Sequence, residues 1–130
     1  MGETKVKFEF GNEFEGILIA GNGTVGIGRQ EDALQPYDLL LGALGACYYS
    51  TFLDIVRKMR LEFERAEIHI RGVKREEVPT TLKTAEILFT VFGAKGDKGF
   101  SRAAELAAKY CSVHETIAKV AQISRRLEFA

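Results

Sequence analysis

The 130-residue chain predicts an α+β fold, with antiparallel strands split around one long buried helix and a pair of shorter helices near the C-terminus. Three observations predict it. Apolar and polar residues alternate from Val6 to Ile27, from Phe63 to Phe92 and from Ile123 to Phe129, which is the period of half-buried strands. Pro36 to about Arg60 contains no further proline and is apolar enough for a core helix. Ser101 and Ser112 each stand where a late helix would begin.

Val6, Phe8 and Phe10 alternate with Lys7 and Glu9, and Gly11-Asn12 turns the chain into a second strand, Phe14 to Ala20. Gly21-Asn22-Gly23 punctuates again before a third strand, Thr24 to Ile27. A polar loop, Gly28 to Asp32, then leads to Pro36, which a first helical turn tolerates because its missing donor has no helical partner there. Asp38 would face the positive end of the helix dipole.

Leu39, Leu40, Leu41, Ala43, Leu44, Ala46, Cys47 and Tyr48 make the first half of this helix apolar on every face, so full burial is expected. Asp54, Arg57, Lys58 and Arg60 give the second half a wet side. The helix is longer than one small core needs, which leaves room for a partner subunit to cover it. Gly42 and Gly45 each cost about 1 kcal/mol of helix propensity relative to alanine, a cost expected where something approaches closely.

Phe63 to Arg75 and Thr84 to Phe92, turned at Pro79, should pair as neighbours. Ser101 is the expected N-cap of a helix through Tyr110, and Ser112 to Glu115 reads as a capping box opening a helix toward Ala121. Ile123, Arg125, Leu127 and Phe129 alternate into a last strand. No repeat or linker interrupts the chain, so residues 1–130 read as a single domain.

Eighteen basic and eighteen acidic residues balance to zero net charge, which argues against a dedicated nucleic-acid or anionic-membrane surface. The N-terminus lacks the apolar stretch of a signal peptide, and the apolar run Leu39 to Tyr49 is shorter than a bilayer crossing. A cytoplasmic, non-membrane protein is expected. In that compartment two cysteines are either catalytic or simply buried, not a permanent cross-link. No Cys or His pair has the short spacing of a zinc site, so neither a metal nor another cofactor is expected. His69 reads as an exposed strand residue, and His114 as either a polariser of Cys111 or a cap-adjacent side chain.

The two cysteines carry the remaining chemistry. Pro36, Leu39, Leu40, Ala43 and Cys47 form the pattern Pro-x-x-Leu-Leu-x-x-Ala-x-x-x-Cys, and Cys111, Val113 and Thr116 form Cys-x-Val-x-x-Thr. In these motifs and in the order of its elements the chain resembles the OsmC/Ohr superfamily of osmotically inducible and organic-hydroperoxide-resistance proteins. The resemblance implies an intertwined homodimer with its sites at the subunit interface. It also implies a thiol peroxidase: Cys47 attacks a hydroperoxide, Cys111 resolves the resulting sulfenic acid to a disulfide, and an external dithiol, for instance of lipoyl type, reduces it.

The resemblance further implies an arginine and an acidic residue that hold the attacking cysteine as thiolate. Arg29, in the polar loop, is the only arginine ahead of Cys47 and takes that role here. Where the peroxidases have glutamate directly after the helix-start proline, this chain has Tyr37, with Asp38 and Glu31 as nearby acids. Burial in an apolar helix would otherwise raise the Cys47 pKa, whereas a helix-start position would favour a thiolate at Cys111. The departure at Tyr37 keeps a second possibility open, a non-enzymatic dimer that binds a small apolar ligand or a protein partner. A hot-dog thioesterase also wraps sheet around a helix, but the two late helices argue against that topology.

Overall fold

The computed structural model describes residues 2–130 and falls into two compact units, one reaching to Gly42 and the other spanning Ala43–Ala130. In the first unit, β1 (Lys7–Phe10), β2 (Glu15–Ala20) and β3 (Gly23–Gly28) form an antiparallel sheet in sequence order. The register pairs Phe8 with Leu18 and Leu18 with Val25. Gly28 ends β3 at φ +130°, and a Cβ there would strike the Phe14 carbonyl oxygen, so only glycine fits. Beyond it the loop folds back: the Gln30 amide donates to Gly16 O at 2.8 Å, and the Gln35 amide donates to Gly28 O at 2.7 Å.

The loop delivers the chain into α1 (Pro36–Lys58). Its start is secured by Asp38, whose carboxylate accepts from the Gln35 N–H at 2.8 Å. That hydrogen bond satisfies an amide that precedes the helix and has no helical acceptor. By length and composition alone α1 could cross a bilayer, contrary to the expectation drawn from the shorter run Leu39 to Tyr49. Its placement argues otherwise, because Leu44, Tyr48, Phe52 and Val56 form a stripe at i, i+4 spacing buried in the second unit's core. α1 is a core helix.

Full burial of its first half does not hold within one chain. Gly42, Ala43 and Ala46 are exposed and Leu39, Leu40 and Leu41 only half-buried, since a helix packed on one side hides one stripe. The two helical glycines also differ. A Cβ on Gly45 would lie 3.2 Å from Ile70 Cδ1, the close approach expected, whereas one on Gly42 would meet nothing within 4 Å.

The second sheet contains β4 (Arg65–Lys74), β5 (Leu82–Phe92) and β6 (Gln122–Phe129), in the order β4-β5-β6. β4 and β5 are antiparallel neighbours, as expected. β6 pairs with β5 in parallel, which corrects the expectation of antiparallel strands at this one pair. The reason is topological: α2 (Phe100–Tyr110) and α3 (Ser112–Ala118) carry the chain back to the starting end of β5, so the returning strand runs the same way. Ala85, Ile87, Phe89 and Val91 alternate along the inner face of β5, buried with Phe100, Ala103 and Ala107 of α2. Phe52 and Phe89 meet edge to face at 4.6 Å between ring centroids in the middle of this core.

Both late helix starts lie one or two residues before the expected serines. α2 follows Gly99, at φ 94°, with no side-chain cap, and α3 is capped by Cys111. Ser101 and Ser112 instead sit inside first turns.

Candidate functional site

The break between α2 and α3 organises the site. Cys111 is fully buried and adopts an extended conformation, φ −75° and ψ 115°, between the two helices. Its N–H donates to Ala107 O at 2.9 Å and closes α2. Its Sγ accepts from the His114 N–H at 3.3 Å and opens α3. A sulfur thus does the work usually given to a serine or aspartate oxygen at an N-cap. With Cys111 as cap, Ser112 is released to turn its hydroxyl elsewhere.

That hydroxyl faces Cys47. Ser112 Oγ lies 3.9 Å from Cys47 Sγ, which is half-buried on α1 beside the buried Tyr48. The Cys111 thiol lies near enough to the same sulfur to lower its pKa, so two residues remote in sequence become neighbours. Burial by itself would push the Cys47 thiol up. The Val113 N–H, the Cys111 thiol and the Ser112 hydroxyl, with a smaller influence from Thr51, outweigh it, and the group sits below the ordinary thiol range. Thr51 is held over Cys47 by donating to the Cys47 carbonyl at 2.8 Å.

Cys111 is displaced in the opposite direction. Burial pushes it up, its hydrogen bond to Cys47 and the charge developing there push it further, and the His114 N–H only partly compensates. The expectation of a Cys111 thiolate favoured by its helix start is therefore corrected: the N–H groups of that start do lower Cys111, but burial and the neighbouring Cys47 outweigh them. Cys47, expected to need a cation, is acidified by neutral donors.

His114 is 9% exposed, and its Nε2 lies 3.3 Å from Arg125 Nη1. Burial and the adjacent guanidinium both lower its pKa, against a smaller opposing pull from Glu115. It stands as a neutral ring with Nε2 accepting, which removes that nitrogen as a base for Cys111. His69 lies on the solvent side of β4, 3.7 Å from Glu67, with no part in the site. Arg29 belongs to the first unit, where its guanidinium lies over the Phe14 ring at 5.9 Å. Asp38, a candidate acid partner for the thiolate, is committed to the start of α1.

Sequence reasoning did not find Ser112, Thr51 and Val113 as donors to Cys47, nor Arg125 as the partner of His114. Thr51 was accessible in principle, since it stands four residues beyond Cys47 on the same helix face. The others depend on how α3 meets α1 and β6.

In this α+β fold a core helix presents one acidified thiol to a second, buried thiol at a helix junction. The chain belongs to the OsmC-like family: the profile described as OsmC-like protein matches residues 29–124. It is similar to protein YhfA of Escherichia coli K12, with 30% identity over 129 residues, covering 97% of this chain and 96% of that one. Among solved structures, a hypothetical protein from Aquifex aeolicus VF5 superposes with a TM-score of 0.86 at 26% identity, covering 100% of this chain and 99% of the other. An organic hydroperoxide resistance protein from Legionella pneumophila superposes at 0.72 with 12% identity, covering 97% and 96%, and so shares the fold.

Proposed function

We propose that this protein is a thiol peroxidase that reduces organic hydroperoxides, with Cys47 attacking and Cys111 resolving. The observation that carries this reading is the convergence of the two thiols with opposite acidities. A nucleophile must be ionised to attack, and a resolving thiol must stay protonated until its target exists. Family membership and the hydroperoxide-resistance name of a fold neighbour support it.

In the first step the Cys47 thiolate attacks the outer peroxide oxygen, the O–O bond breaks, and the alkoxide leaves with a proton as the alcohol. Cys47 becomes a sulfenic acid. The causes that hold Cys111 protonated include its hydrogen bond to Cys47 and the Cys47 charge, and both disappear once that sulfur is oxidised. Cys111 therefore becomes easier to ionise when a sulfenic acid is there to receive it. It attacks Cys47 sulfur, water departs, and the disulfide awaits an external dithiol, for instance of lipoyl type.

Ala43 and Ala46, exposed on the same helix as Cys47, give the approach an apolar character suited to an alkyl chain. In this reading Arg29 adds a cation to the thiolate set already formed by the donors around Cys47. The protein works as a homodimer in the cytoplasm, where reduced dithiols are at hand. The exposed strip of Val6 (54%), just ahead of β1, with Phe8 (45%) and Phe10 (45%) on it, and the half-covered start of α1, are the surfaces a second copy would bury.

Mixing the reduced protein with cumene hydroperoxide tests the proposal. Intact mass should show the loss of two hydrogens per chain, and Cys47→Ser should abolish it. Peroxide consumed at the same rate by Cys47→Ser, or no disulfide at stoichiometric peroxide, defeats the reading. Arg29→Ala is expected to slow consumption. One observation favours a second reading, an OsmC-like dimer that binds a small apolar ligand or a protein partner without chemistry: the acid position after Pro36 is Tyr37, and Asp38 is engaged by Gln35.

A further inference from the structure

His114 and Arg125, in contact with each other, do none of the bond making or breaking in the two steps above. β6 is an edge strand, and an inward-pointing charge on such a strand commonly serves to keep the edge from pairing with other chains. Arg125 has more specific surroundings. It pairs with Ile87, which pairs with Ile70, and Ile87 is 2% exposed on the inner face of the sheet, so the arginine stem points toward the helices.

There its Nη1 meets His114 Nε2 at 3.3 Å. A guanidinium can only donate, so the imidazole nitrogen accepts and the ring hydrogen resides on Nδ1. The backbone of the same histidine donates to Cys111 Sγ at 3.3 Å. One residue therefore touches β6 through its ring and the buried thiol through its N–H. On the other side of the site, Tyr48 follows Cys47 in α1 and its hydroxyl donates to Ala104 O of α2 at 3.1 Å. The Arg125 charge reaches the Tyr48 phenol as well, where burial dominates and pushes the pKa up to about 12. Each thiol is thus tied to a different neighbour, Cys47 through α2 and Cys111 through β6.

We propose that His114 and Arg125 form a positioning clamp for disulfide closure: Arg125 fixes the imidazole, the imidazole fixes the first turn of α3, and that turn keeps Cys111 Sγ aimed at Cys47. The proposal rests on the thiol-peroxidase reading for its biological role. In the step it governs, the Cys111 sulfur forms a bond to the Cys47 sulfur, the S–O bond of the sulfenic acid breaks, and hydroxide leaves with the Cys111 proton as water. No oxidant is needed beyond the hydroperoxide that made the sulfenic acid. Neither residue touches the hydroperoxide, so the effect is confined to the second step.

The experiment follows the two steps separately in Arg125→Met, Arg125→Lys, His114→Leu and His114→Gln. Sulfenic acid is captured with a cyclic diketone and disulfide is read by intact mass. A misplacement of reacting atoms costs up to about a hundredfold, so Arg125→Met and His114→Leu should close the disulfide about ten- to a hundredfold slower while Cys47 oxidation stays within about twofold of wild type. Sulfenic acid should accumulate in both. Arg125→Lys keeps a donor and His114→Gln keeps an acceptor, so each should retain most of the closure rate and supply the answer if a bolder variant fails to fold.

A second arm needs no peroxide. Cys47 is converted to a mixed disulfide with an aromatic disulfide reagent, and release of the second coloured thiolate reports attack by Cys111. The same ordering of variants is expected. Wild-type closure rates in Arg125→Met, or equal slowing of both steps in the peroxide arm, would overturn the clamp. A wild-type protein inert to hydroperoxide would defeat the peroxidase reading alone, because the second arm still decides the clamp.

Discussion

Cys47 and Cys111 are the same chemical group in two settings, and their acidities are the reverse of what each setting suggests. Cys47 sits in the middle of an unbroken helix, where no backbone N–H of its own element is free to reach it. Cys111 sits at a helix start, where thiols usually ionise readily. Yet Cys47 is held low and Cys111 high. The α3 donors explain this: the Val113 N–H and the Ser112 hydroxyl act on the neighbouring helix, while the capping sulfur carries the burial cost and faces the charge on Cys47. A thiol's acidity follows the donors aimed at it, whichever element carries it.

The comparison is broken most completely by removing one sulfur at a time. Cys47→Ser should lose all reaction with hydroperoxide. Cys111→Ser should still be oxidised once at Cys47 but then run on to the sulfinic acid under excess peroxide, as mass spectra would show. A Cys111→Ser protein that regains its thiol without added reductant would contradict the resolving role.

Smaller changes sharpen it. Ser112→Ala removes one donor, and a hydrogen bond to a charged group is worth about 1.5–3 kcal/mol at ideal geometry. At the long distance seen here only part of that is expected, as a rise in the Cys47 pKa read from the pH profile of iodoacetamide alkylation. Thr51→Val should raise it less, because that hydroxyl is already bonded to the Cys47 carbonyl.

The smallest effect is on stability, and its sign differs between the two thiols. Cys111 alone, in Cys47→Ser, has a folded pKa above the ordinary 9.0 because burial remains. Its contribution is complete below that value and is lost as pH rises through the folded pKa. Cys47 alone, in Cys111→Ser, is expected to keep a depressed pKa from the Val113, Ser112 and Thr51 donors, so its contribution should be present above 9.0 and lost as pH falls through the folded pKa. Denaturant midpoints across this range should therefore drift in opposite directions in the two variants. Parallel drift would mean that the acidities are not ordered as described.

Much of this was legible before any coordinates. Alternation at Val6, Phe8 and Phe10, the turn residues Gly11-Asn12 and Gly21-Asn22-Gly23, and the proline-free run after Pro36 specified their elements because each depends on neighbours in sequence. The cap of α3 was misplaced by one residue, since Cys111 and Ser112 can both accept a backbone N–H and only the backbone conformation at Cys111 decides between them. The direction of β6 was missed because alternation gives a strand's faces and says nothing of its orientation.

Local order along the polymer thus specified the strands, the core helix and the two cysteine motifs, all of which depend on the backbone's short-range preferences. The pairing of the thiols, the opposite acidities and the His114–Arg125 contact belong to the tertiary structure. Hydrogen-bond donors and desolvation act through a few ångströms of space, and residues that share that space are brought there by helix packing rather than by their spacing in the chain.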